Sequence, residues 1–128
     1  MVGHHLTIRD VSVMEGDRDL YYRQFLDDFN DEADRKSLLI SEEPARSDDW
    51  VFDCRLAAAA ELIARRSGID VPGWTQDPYY FLDHEVWGLN NLCSDPARED
   101  VREYLRNTTP EPFRKRGLMY GENVTKRV

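Results

Sequence analysis

The stretch that decides the fold is Trp50-Val51-Phe52-Asp53-Cys54-Arg55-Leu56-Ala57-Ala58-Ala59-Ala60-Glu61-Leu62-Ile63. It is broadly apolar, and its run of alanines combines high helix propensity with side chains small enough for a neighbouring helix to approach closely. The spacing predicts a helix from about residue 48 to residue 67. Gly68 ends it, because glycine tolerates the left-handed conformation of a helix C-terminus. This helix reads as the central, most buried element of the chain, with Cys54 as a small core filler.

Upstream, Leu20, Tyr21, Phe25, Leu26, Phe29 and Ala33 recur at spacings of three and four, which predicts one amphipathic helix from about Asp17 to Lys36. Asp17 is placed to cap its first amides. Leu38, Leu39 and Ile40 form a short apolar cluster, and residues 41–49, with Pro44 among them, read as a polar loop. Residues 1–16 read as irregular. Downstream, residues 69–89 form a long aromatic connector punctuated by Pro72 and Gly73, with a short helical turn opening at Asp77-Pro78. Its Phe81, Leu82 and Trp87 are expected to be buried, with Tyr79 or Tyr80 at the rim. A helix opens at Asp95-Pro96 and runs to about Asn107, and a helical turn follows Thr109-Pro110 until Gly117. Residues 118–128 read as an irregular tail. The expectation is an all-α fold: one compact domain spanning residues 1–128, a bundle of four to five helices with the aromatic connector.

With 128 residues, 41% of them hydrophobic, the chain can bury a core without covalent staples. Cys54 and Cys93 form no CxxC pair, so a reduced, cytoplasmic setting is the default expectation. The N-terminus lacks the pattern of a secretory signal, and no apolar run is long enough to span a membrane. Charge is polarised. Residues 1–53 hold 14 acids against 6 bases, whereas residues 54–128 hold 11 of each. Within the second part, Arg114, Lys115, Arg116, Lys126 and Arg127 make the C-terminal segment basic. The overall charge of −8 disfavours nucleic acid as a partner, because phosphate contacts need a basic face.

No catalytic set or metal site is read from the sequence, and no cofactor is expected. His4, His5 and His84 lack helical i, i+4 spacing, and the side chains of Asp83-His84-Glu85 would diverge on a helix rather than converge on zinc. The sequence has no GxSxG, no Walker glycine loop and no dinucleotide fingerprint. A dyad of Cys54 or Cys93 with His84 is the one nucleophilic arrangement left open, since such partners meet only in three dimensions.

Residues 57–68, Pro72-Gly73-Trp74, Leu82 with Trp87, Arg102-Glu103-Tyr104-Leu105, residues 109–117 and residues 122–127 together resemble a recurring pattern. It is found in small bacterial proteins that accompany nucleotidyltransferase-like toxins in two-gene loci. The resemblance implies an antitoxin-like role in which the chain binds a cognate toxin and occludes its cleft. Such a cleft attracts triphosphates and is therefore positive, which suits the acidic helix. Asp27, Asp28, Asp31, Glu32 and Asp34 are then the electrostatic face; Tyr79 and Tyr80 are further partner-binding candidates by residue type, since tyrosine is enriched at interface hot spots. Phe113, Arg114 and Arg116 are a second contact or a structural clamp. Two alternatives come from other classes. One is a small transcription regulator using the basic C-terminal segment; the other is an enzyme whose pocket would gather His84 and carboxylates.

Overall fold

The computed structural model describes residues 5–87 and 99–121. Those residues are mostly helical. The order is α1 (Ile8–Val13), α2 (Arg18–Asp31), α3 (Lys36–Ile40), α4 (Trp50–Ser67), two 3-10 turns (Gly73–Gln76 and Pro78–Tyr80), β1 (Val86–Trp87), α5 (Glu99–Thr108), α6 (Glu111–Arg114) and β2 (Leu118–Met119).

Helix α4 is the axis of the molecule. Ala57 to Ala60, Leu56 and Cys54 are fully buried, and the helix packs against α6 and both 3-10 turns. Four consecutive alanines place methyl groups all the way round the helix, so chain segments lie close on several sides. Asp49 caps its first turn by accepting from Phe52 N at 3.0 Å. Gly68, at φ 70°, ends it, and Ile69 N donates back to Ala64 O at 3.0 Å.

Two expectations about the N-terminal region are corrected. Residues 8–13 are helical, not irregular, because Thr7 and Asp10 form a reciprocal capping box at 2.9 and 3.1 Å. Ile8 and Val11, three apart, are thereby buried. The predicted 17–36 helix is also split. Its second half is interrupted where the Glu32 carboxylate accepts from the Asp34 and Arg35 amides at 3.1 and 3.2 Å. Lys36 Nζ then donates to the carbonyls of Phe29 and Glu32 at 2.9 and 2.8 Å, closing the end of α2. Within α2 the inward face is Tyr22, Phe25, Leu26 and Phe29, while Leu20 is exposed.

The fold is also not purely helical. Val86 and Trp87 pair in parallel with Leu118 and Met119, so the supposed irregular tail begins as a buried strand. Residues 122–128 of that tail, and the start of the helix expected at residue 95, lie outside the described residues. Gly117 permits the pairing. Its φ is +89°, and a Cβ there would sit 2.6 Å from the carbonyl oxygen of His84; Val86 N donates to Gly117 O at 2.7 Å. No described helix is long and apolar enough to cross a membrane.

Gly117→Ala combines a left-handed backbone with a backbone clash and should cost about 2 kcal/mol or more in urea denaturation. Gly68→Ala, where a Cβ meets nothing within 4 Å, should cost about 1 kcal/mol. Equal losses at the two sites would show that the Gly117 contact is not tight.

Candidate functional site

The densest polar constellation lies beneath α6 rather than on the surface. Glu61, with 1% exposure in the middle of α4, accepts from Arg116 Nη1 at 2.8 Å, Lys115 Nζ at 2.7 Å and Gln76 Nε2 at 3.0 Å. Arg65, one turn along α4, also bonds it. Arg116 is fully buried. Nη1 also reaches Pro112 O at 2.8 Å and Nη2 reaches Thr75 O at 2.5 Å, while the buried Nε has no hydrogen-bond partner among the described residues; the guanidinium lies 4.6 Å from the Phe81 ring centroid. Burial alone would raise the pKa of Glu61, but the hydrogen bonds from Lys115, Gln76 and Arg116 outweigh it and bring the carboxyl down to about 2.

A second buried carboxylate organises the aromatic connector. Asp53 accepts from Ser47 N and Oγ at 2.9 and 2.7 Å and from the Tyr79 hydroxyl at 2.5 Å. Burial and that bond push the Tyr79 phenol up to about 12. The Tyr80 hydroxyl donates to Glu43 at 2.6 Å, and Arg46 stacks 4.1 Å over the Tyr79 ring. Trp50 Nε1 donates to Tyr79 O at 2.6 Å, and Trp74 Nε1 to Ile40 O at 2.9 Å. The connector is thus pinned by Trp50 of α4 and by its own Trp74.

The residues expected to meet a partner divide into two sets. Asp31 has 83% of its side chain exposed, and Asp34 is exposed. Asp27 and Asp28 are half-buried. Asp28 accepts from Leu6 N at 2.8 Å, and Glu32 faces His5 at 3.1 Å. These two acids hold the segment before α1 against α2. Arg114 is exposed, with its guanidinium on the carbonyls of Thr109 and Arg106 at 3.1 and 3.3 Å. Tyr79 is half-buried at the rim. Tyr80, Phe113 and Arg116, by contrast, are at most 1% exposed. A surface partner does not touch them in this conformation, and of the two roles offered for Arg116 the geometry fits the clamp. Phe81, Leu82 and Trp87, expected to be buried, are only partly so. The Trp87 ring carries the Arg106 guanidinium at 5.0 Å from its centroid.

The Cys54–His84 dyad does not form. The Cys54 thiol faces Tyr79 O at 3.9 Å, and burial pushes its pKa up to about 12. His84 lies 2.7 Å from Asp83 and edge-on to Trp50. His4 and Cys93 lie outside the described residues. Among the described residues no group of three or more His, Cys, Asp or Glu is arranged to hold a metal ion.

Sequence reading missed Glu61 as the hub. A glutamate one turn before Arg65 looks like an ordinary solvent-facing i, i+4 pair. Its one available signal was position, since it is the only charge between Leu56 and Ala64. No protein-family model, curated protein or solved structure matches the chain. The likeness to toxin companions therefore rests on the motif residues alone.

Glu61→Gln removes the counter-charge while leaving Arg116 buried, and should cost about 3 kcal/mol at pH 7. Because the folded-state pKa is depressed, Glu61 stabilises the fold above its ordinary value of 4.5, and that contribution is lost as pH falls from 4.5 towards 2. The gap between wild type and Glu61→Gln in urea midpoint should accordingly shrink over that window. A gap that stays constant from pH 7 to pH 2.5 contradicts the assignment.

Proposed function

We propose that this chain is an antitoxin-like binding protein that neutralises a cognate toxin by covering its positively charged cleft. Its partner class, a nucleotidyltransferase-like toxin, follows the motif resemblance. The observation that carries the reading is a contrast of exposure: Asp31 and Asp34 at the end of α2 face outward, while the three bases of residues 114–116 are engaged by the protein itself. Lys115 and Arg116 meet Glu61, and Arg114 meets backbone carbonyls. Arg55 pairs with Asp19 at 2.8 Å. Asp48 is 97% exposed but lies 3.6 Å from Arg18, so the outward acidity rests on Asp31 and Asp34. Such a surface attracts a basic protein and speeds its approach.

The same contrast weakens the reading as a DNA-contacting regulator. Three of its five proposed phosphate contacts are engaged within the fold, and Lys126 and Arg127 lie outside the described residues. No observation favours an enzyme over a binding protein.

The test is a titration of this chain against the purified product of the neighbouring gene. A complex should form, and Asp27→Lys, Asp31→Lys and Asp34→Lys combined should weaken it about tenfold or more and flatten its dependence on salt. Absence of a complex sinks the reading; unchanged affinity in the triple variant sinks the acidic face as the contact.

A further inference from the structure

We draw no further inference here: the strongest candidate, the cleft that Arg18, Arg55 and Tyr120 line between the starts of α2 and α4, carries nothing, because Asp17 and Asp49 are spent there as helix caps, Asp19 already holds Arg55, and nothing in the structure shows what covers it.

Discussion

A carboxylate in the middle of an alanine-rich helix, almost wholly removed from water, collects donors from two other parts of the chain, and the rest of the molecule is arranged around that fact. Glu61 bonds Gln76 in the first 3-10 turn and Lys115 and Arg116 after α6. Arg116 then reaches back to Thr75 O. Two segments about forty residues apart in sequence are thus fastened to one point on α4. Burying such charges is expensive, and a well-packed apolar pair could be as stable. What the ionic version adds is direction. Alanines accept a neighbouring segment at many offsets, whereas Glu61 accepts its donors in one register.

From that register follows the small sheet. With Arg116 fixed, Gly117 is set against His84, Leu82 N donates to Arg116 O at 3.2 Å, and Leu118 and Met119 lie alongside Val86 and Trp87. The clamp also bears on the functional reading, because cations spent inside the fold are not offered to a partner. With Lys115 and Arg116 turned onto Glu61, residues 114–116 offer a partner less positive charge than their sequence suggests.

Much of the helical architecture was legible in the sequence. The alanine run, Gly68 and the Asp17 cap placed α4 and the start of α2, because each acts through local backbone chemistry. The misreadings share a cause. Ile8 to Val13 read as irregular because its capping box joins Thr7 to an aspartate rather than a glutamate. The break after Asp31 depends on Glu32 folding back on its own chain, which composition does not reveal. Tyr80, Phe113 and Arg116 looked like interface residues by type, and only long-range contacts with Glu43, α4 and Glu61 put them inside. Glu61 itself was hidden because its partners lie 15 and 54–55 residues away.

The central claim is most directly tested by following the Glu61 side-chain carboxyl carbon through an acid titration by NMR. If four donors hold it ionised within the fold, its resonance should stay in place as the surface carboxylates titrate and move only near pH 2. A midpoint close to 4.5 would mean that Glu61 stands in water, and the clamp on which this account of the fold is built would not exist.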